Sequence, residues 1–225
     1  MADGIGTPKK GEGTWGQAIT AVVLVGGLGV GLWTVGKANA PSKDSAPPAA
    51  TCSTADPEKT ASAEVSRARL CELLDRPDLA ALLGTPGEVA KSTGTSGGGG
   101  SKLFGPTAQV VFDTYTVSLT VQYDHLPVSE AATLLGDTVR KRTVLGRPAV
   151  SYADRTISFS LTAGGSGNLP GHRAVVLSVA RDAKDTGGSF EVALWRMDGG
   201  VPDDAALLRV AETVLPTVPG WNTAV

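Results

Sequence analysis

The longest uncharged stretch of the sequence runs from Trp15 to Gly36 and restricts what the whole chain can be. Its apolar centre, Ala18 to Val35, would form roughly 27 Å of helix at ~1.5 Å per residue, close to the hydrocarbon thickness of a bilayer. Trp15 and Trp33 lie near its two ends, where membrane-spanning helices concentrate aromatic residues. The sequence therefore predicts a transmembrane signal anchor at residues 15–36, preceded by a disordered cytoplasmic tail at residues 1–14.

Two other kinds of signal fit this stretch less well. A cleaved secretory signal has a shorter apolar run, and Pro41 directly after the imitation cleavage site Ala38-Asn39-Ala40 suits signal peptidases poorly. A lipoprotein signal is disfavoured because the residues just before Cys52 lack the usual leucine. We therefore expect an uncleaved signal anchor, with cleavage after Ala40 as the open alternative.

The two cysteines of the chain, Cys52 and Cys71, both follow the predicted anchor. A cysteine pair in a small exported domain most often forms a disulfide, whereas the lysines that flank the anchor indicate its orientation only weakly. We therefore expect a Cys52–Cys71 bridge, worth ~3 kcal/mol, in a C-terminal domain outside the cell membrane. Free thiols in a cytosolic domain are the alternative.

Gly27 and Gly31 have the spacing that lets two transmembrane helices approach closely. Glycine is also common in membrane helices that do not associate. The expected partners are therefore the lipid bilayer and, through this glycine face, either a second copy of the chain or another envelope protein.

Composition restricts the remaining possibilities. A formal net charge of -2 and a pI near 5.7 provide no basic surface, so no nucleic-acid partner is expected. Residues 37–63 are rich in Pro, Ala, Ser and Thr without an apolar period, which predicts a flexible linker. The folded part is then a single extracytoplasmic domain over residues 64–225.

Apolar periodicity predicts helices at both ends of this domain and strands between them. Helices are expected over Val65–Leu74, from Pro77 to Gly84, after Ser129 and after Pro202-Asp203-Asp204. Surface loops are expected at 85–106 and 164–171, with a turn at Gly146-Arg147-Pro148. Strands are expected at Val110–Phe112, Tyr115–Tyr123, Arg142–Leu145, Ala149–Tyr152, Thr156–Leu161, Ala174–Arg181 and Phe190–Met197. This order indicates an α+β fold, a largely antiparallel sheet with helices packed on one face.

Three blocks of sequence carry a resemblance: Cys71–Ala90, Lys141–Leu161 and Gly187–Trp221. They resemble an uncharacterised family of single-pass actinomycete membrane proteins, over the whole chain, and this resemblance implies no activity. More loosely, the Cys-x-Leu-Leu opening and the closing helix are similar to actinomycete envelope lipoproteins of Mog1/PsbP-like fold. That likeness implies a small α+β binding or accessory module, although here a transmembrane helix replaces the lipidated cysteine.

Motifs for catalysis, cofactors and metals are weak. The segment Gly31–Lys37 has the outline of a phosphate-binding loop, but Ala38 stands where Ser or Thr should hold the metal. His125 and His172 lie beside loop-forming residues without a compact ligand spacing, and no Gly-x-Ser-x-Gly elbow is present. We therefore expect no catalytic residue, no cofactor and no metal site.

Two groups of residues leave a choice between binding and structural roles. Basic side chains gather in one region, at Arg140, Lys141, Arg142, Arg147 and Arg155. They either face anionic lipid or an acidic partner, or protect the solvated edge of a sheet. Aromatic side chains on predicted strands either line a pocket or belong to the core: Tyr115, Tyr123 and Trp195.

Together these patterns predict a membrane-anchored extracytoplasmic binding or scaffolding protein rather than an enzyme. The alternative is a membrane-tethered hydrolase without a linear motif. Such an enzyme would hold a Ser or Asp of perturbed ionisation in a groove near His125 or His172.

Overall fold

The computed structural model describes residues 49–52, 65–97, 105–135, 139–156, 158–162, 165–169 and 171–221. The expected tail and anchor, and most of the expected linker, lie outside these residues. Among the helices in these described residues, none is both long and apolar enough to cross a bilayer.

Four helices and nine strands make up the described domain. The helices are α1 (Arg67–Leu74), α2 (Leu79–Leu82), α3 (Val128–Leu135) and α4 (Asp204–Val214), and α4 runs into a 3₁₀ turn at Leu215–Thr217. The first strands are β1 (Ser92–Ser96), β2 (Thr107–Val111), β3 (Tyr115–Gln122), β4 (Arg140–Val144) and β5 (Arg147–Arg155). The others are β6 (Ser158–Thr162), β7 (Gly165–Leu169), β8 (Arg173–Ala180) and β9 (Ser189–Arg196).

Seven of the strands form one antiparallel sheet in the order β1-β2-β3-β9-β8-β5-β4. Strands β6 and β7 pair separately as an antiparallel hairpin. The predicted α+β class and the predicted antiparallel sheet are therefore confirmed. The two edges of the main sheet are β1 and β4.

Helices cover both faces of the sheet, which corrects the expectation that they pack on one. On the first face, α1, α2 and α4 enclose the main core with the inward side chains of the central strands. Its largest fully buried members include Phe190, Leu119, Leu177 and Leu194, each contributing about 1.5–3 kcal/mol through burial. On the second face, α3 packs its Val128 and Ala132 over β5, β8 and β9.

The second layer follows from the composition of the central strands. Every residue of β8 after Arg173 is buried, as is every residue of β9 before Arg196. Alternation alone would leave one face wet, whereas strands buried at consecutive positions need cover on both faces. The sequence Ala-Val-Val-Leu-Ser-Val-Ala at 174–180 carries that signal.

Two strands fall in segments that were expected to be loops. Strand β1 lies inside 85–106, and its sequence Ser-Thr-Gly-Thr-Ser has no alternating apolar residue because it forms an edge. Strand β7 lies inside 164–171. The turn expected at Gly146-Arg147-Pro148 is instead formed by Leu145 and Gly146, whose positive φ angles of 50° and 79° suit a two-residue hairpin loop.

The closing helix begins as the sequence predicts. Asp203 is the N-cap of α4, and its carboxylate accepts a hydrogen bond of 3.0 Å from the backbone N–H of Ala205. Asp204 adds a second negative charge at the positive end of the helix dipole.

Candidate functional site

The second face of the sheet carries a row of buried polar side chains across its centre. The register aligns Thr120 of β3 with Glu191 of β9, and Glu191 with Ser178 of β8. All three side chains are buried, and only 4% of Glu191 is exposed. A carboxyl at the centre of a sheet is unusual because removing its charge from water costs several kcal/mol unless the group stays neutral.

Glu191 avoids this cost by holding its proton. Burial is the main reason that its pKa rises to about 8, and the negative charge of Asp154 adds to the effect. A hydrogen bond with the hydroxyl of Tyr152 lowers the pKa in part. The same burial, followed by the nearby Glu191 charge, raises the pKa of Tyr152 well above its ordinary value. At neutral pH Glu191 is therefore a carboxylic acid that can donate a hydrogen bond or a proton.

Two further carboxylates, those of Asp154 and Asp124, raise the pKa of Glu191 through their negative charge. Asp154 has its pKa raised by burial, and one of its oxygens, Oδ2, is buried without a hydrogen-bond partner. Its Oδ1 accepts a 2.7 Å hydrogen bond from the backbone N–H of Arg155. The charge of Asp124 raises the pKa of Glu191 further. Within the described part of the chain, no group of three or more His, Cys, Asp or Glu residues is arranged to hold a metal ion.

Helix α3 covers the apolar part of this face and is fixed there by a distant aspartate. Asp185, in the loop between β8 and β9, accepts hydrogen bonds from the backbone N–H groups of Val128 (2.7 Å) and Ser129 (2.9 Å). It does so from a left-handed backbone conformation, with φ of 56°. The expected cap, Ser129, lies inside the helix, because α3 begins one residue earlier.

Arg147 occupies the opposite face and does not belong to an exposed basic surface. Its side chain is buried, and its guanidinium lies 3.8 Å from the centre of the Trp221 ring. It also donates hydrogen bonds to the backbone carbonyls of Arg181 and Trp221. Burial requires these acceptors, since an unpartnered guanidinium in the core would be strongly destabilising.

The other four basic residues of the expected cluster divide between two places. Arg140 and Arg142 lie on the edge strand β4 and pair with Asp204 of α4, at 3.5 and 3.1 Å. Lys141, between them, is exposed. Arg155 ends β5, where its guanidinium is 3.5 Å from the carbonyl of Gly171.

The predicted disulfide is present, and it attaches the end of the linker to the domain. Cys52 and Cys71 are joined at an S–S distance of 2.02 Å, with Cys71 buried in α1. Beside the bridge, the N–H of Ala50 donates to the carbonyl of Ala90 (2.9 Å). The hydroxyl of Thr93 donates to the carbonyl of Thr51 (3.0 Å).

Comparison with family models identifies the chain. Residues 9–138 match the model described as "Family of unknown function (DUF6215)", which is more than half of the sequence. The chain belongs to this family. No curated protein and no solved structure matches it.

The DUF6215 match covers one part of the described architecture. It includes both bridged cysteines, strands β1 to β3 and helix α3, and it ends before β4. Tyr152 and Glu191 therefore lie outside the matched residues. The expectation of an uncharacterised family is confirmed, and the DUF6215 description assigns no activity to any residue.

The remaining expected site residues have varied positions. Gly27 and Gly31 lie outside the described residues. His125 is exposed before α3, and the backbone N–H of His172 donates to the hydroxyl of Thr156 at 2.8 Å. The aromatic residues Tyr115 and Trp195 are buried in the two cores, as the structural interpretation predicts, whereas Tyr123 is half-buried and packs against the first core from outside it.

Tyr152 and Glu191 were not singled out from the sequence, although one signal for Glu191 was available. Glu191 interrupts an otherwise apolar strand, Phe-Glu-Val-Ala-Leu-Trp, at a position where every neighbour is buried. A single acid in such a run must be neutral or paired. Nothing comparable marks Tyr152, because tyrosine is an ordinary strand residue.

Proposed function

We propose that this chain is a membrane-anchored extracytoplasmic protein that acts as a binding or scaffolding module. The observation that carries the proposal is the Cys52–Cys71 bridge, which uses every cysteine of the chain. Disulfides persist in oxidising compartments and are rare in the cytosol. The uncharged stretch from Trp15 to Gly36 supports attachment to the membrane, and the resemblance to actinomycete membrane proteins supports the same location.

The bridge also limits how far the domain extends from the membrane. The linker between Gly36 and Cys52 is proline-rich and reaches at most roughly 58 Å when fully extended, at ~3.6 Å per residue. Beyond Cys52 the chain is covalently fixed to α1. A domain held on a short tether is suited to presenting a surface close to the bilayer.

The rival function, a tethered hydrolase, has one observation in its favour. Glu191 keeps a proton at neutral pH, as a general acid must. Its side chain is only 4% exposed, however, and its hydrogen bond is made with the hydroxyl of a buried tyrosine, Tyr152. A substrate would reach this acid only if the groups that bury it moved, so the binding module is the better supported function.

Cell fractionation and surface proteolysis test the proposal together. The full-length chain is expected in the membrane fraction, resistant to high salt and alkaline carbonate but released by detergent. Protease added to intact cells is expected to remove the C-terminal domain. A chain recovered in the soluble fraction, or a domain that is cleaved only after lysis, would overturn the proposal.

The binding role needs a separate measurement. Crosslinking in intact membranes, followed by purification of the full chain, is expected to recover a defined partner or a second copy. The matched control is the chain without residues 1–36, exported by a cleavable signal. Turnover of ester, peptide or glycoside substrates by the full chain that is lost in Glu191→Gln would instead favour the hydrolase.

A further inference from the structure

The chain joins the described domain at one end of the main sheet. The N–H of Ala50 donates to the carbonyl of Ala90, just before β1, and the carbonyl of Thr51 accepts from the hydroxyl of Thr93. The segment 49–52 therefore runs in the same direction as β1, and it enters where that strand begins. We call this end of the sheet the tether end. There β1, β3, β4 and β8 begin, and β2, β5 and β9 end.

Exposed apolar side chains gather at the tether end. Five large apolar side chains of the described residues are exposed, and three of them lie here: Val89 (52%), Met197 (43%) and Val201 (63%). Thr114 connects the first two, because it donates its N–H and hydroxyl to the side chain of Glu88 and accepts from the N–H of Met197. Val201 lies in the loop that leads from β9 to α4. Apolar side chains grouped on a surface in this way mark a site of contact with another surface.

Two arginines at the tether end have no carboxylate partner among the described residues. Arg155 ends β5 and Arg173 begins β8, and the register sets them directly opposite each other. Both are exposed. Three carboxylates at this end are already paired with other cations, those of Asp113, Asp198 and Asp204. Like charges directly opposite each other on paired strands are unfavourable, so an anion at this position would stabilise the pair.

We propose that the tether end docks on the anionic surface of the membrane that carries the anchor. In this orientation Val89, Met197 and Val201 enter the headgroup region, where apolar side chains of a peripheral surface are favoured. Arg155 and Arg173 contact lipid phosphates, which supply the negative charge that this pair needs. The inference rests on the proposed function and deepens it, since the ligand of this surface is then the lipid itself.

The tether makes a weak contact sufficient. Residues 37–49 would span roughly 20 Å as a flexible coil and roughly 40 Å as extended polyproline. The tether end is thus held within that distance of the bilayer, which corresponds to an effective concentration in about the mM range. A few apolar side chains and two arginines would hold a free domain on a membrane only briefly, whereas a tethered domain rebinds at once.

Fluorescent probes at the two ends of the sheet test the orientation. Val201→Cys lies at the tether end, and the matched control Leu145→Cys is an exposed apolar position in the turn between β4 and β5, at the opposite end. The eight residues of β8 separate the two ends by roughly 26 Å at ~3.3 Å per residue. Each full-length variant is labelled with an environment-sensitive dye and reconstituted in vesicles of phosphatidylglycerol and phosphatidylcholine that contain a nitroxide lipid. The nitroxide is expected to quench the dye at residue 201 several-fold more than the dye at residue 145.

Charge substitutions test whether the partner is anionic lipid. Arg155→Gln with Arg173→Gln, in the labelled Val201→Cys chain, is expected to reduce the quenching by at least half in the mixed vesicles. The same substitutions should have little effect in vesicles of phosphatidylcholine alone, which carry no net charge. The control, Arg69→Gln with Lys184→Gln, removes the same charge from exposed positions toward the opposite end and should leave the quenching unchanged. Equal melting temperatures and an intact Cys52–Cys71 bridge establish that each variant is folded.

The outcomes separate this inference from the proposed function. Resistance to alkaline carbonate measures the anchoring, and the comparison between residues 201 and 145 measures the docking. A chain that carbonate leaves in the vesicles, but whose two dyes are quenched equally, overturns the docking and leaves the anchoring intact. A chain that carbonate removes overturns the anchoring. The same comparison at neutral pH with vesicles in excess then decides the docking, and equal quenching there overturns it as well.

Discussion

The guanidinium of Arg147 lies over the ring of Trp221, 3.8 Å from its centre, and joins the start of β5 to the C-terminal end of the described chain. The same arginine donates to the carbonyl of Trp221. The ring of Phe190, in β9, also packs against Trp221, and the two ring centres are 5.3 Å apart. One side chain thus fixes the segment after α4 against the sheet, and its loss should loosen that end of the core.

Arg147→Met should lower the free energy of unfolding by about 2–4 kcal/mol. The variant keeps the aliphatic volume but removes the cation–π contact and the charged hydrogen bonds to the carbonyls of Arg181 and Trp221. Urea unfolding followed by tryptophan fluorescence measures the change. Arg173→Met, at an exposed position on β8, is the control and should change stability by less than ~0.5 kcal/mol. Equal stability of the two variants would show that the contacts of Arg147 with Trp221 and Arg181 do not stabilise the fold.

Glu191→Gln should remove a pH dependence of folding. In the folded protein the pKa of Glu191 is raised to about 8, from 4.5. Between those values the folded state binds a proton that the unfolded state has released. The wild-type free energy of unfolding therefore falls as pH rises from about 4.5 to about 8, by up to ~1.4 kcal/mol per pH unit, and levels off above. The variant should lack this slope and be the more stable protein at pH 8.

The measurement is urea unfolding of both proteins at several pH values, with the difference taken at each pH. Subtraction removes the titration of other groups that the substitution leaves unchanged. Glu130→Gln, on the exposed side of α3, is the control and should reproduce the wild-type curve. Parallel curves for wild type and Glu191→Gln would show that Glu191 ionises normally.

Asp185→Ala should destabilise α3 before it affects the rest of the fold. The substitution removes the acceptor for the N–H groups of Val128 and Ser129, and losing such a cap costs about 1–2 kcal/mol. Hydrogen exchange should accelerate at residues 128–135 and remain unchanged at α4. Lys184→Ala, the exposed neighbour in the same loop, is the control. Uniform acceleration over the whole domain would mean that α3 does not open separately.

Removal of the disulfide should cost ~3 kcal/mol, the value expected for a loop of this length. The double variant Cys52→Ser, Cys71→Ser leaves no thiol to mispair, because the chain has no other cysteine. Its melting temperature should match that of reduced wild type. Adding reductant to the variant should have no further effect, and any such effect would indicate a target other than this bridge.

The sequence predicted those parts of the fold in which a residue's neighbours along the chain determine its surroundings. The alternation of Val117, Leu119 and Val121 located β3, and Asp203 located the start of α4. Strand β1 was missed because its regular backbone depends on β2 and on no apolar pattern of its own.

The candidate site was less predictable because its interactions are distant in sequence. The cap of α3 comes from Asp185, 57 residues after Val128, and no local pattern encodes it. Arg147 was grouped with Arg140 and Arg142 because they are close in sequence, although the fold buries only Arg147. Glu191 and Tyr152 come together through the pairing of β5, β8 and β9.

The covalent link between Cys52 and Cys71 also determines how the domain responds to mechanical force. Tension applied through the N-terminal segment passes from Cys52 directly into α1, which lies against β2. Because the bridge joins Cys52 to Cys71, the stretch of chain between Cys52 and α1 carries none of the load. A pulled molecule therefore resists at a helix packed on the sheet, and stretching cannot peel the chain from Val65 onward while the bridge is intact.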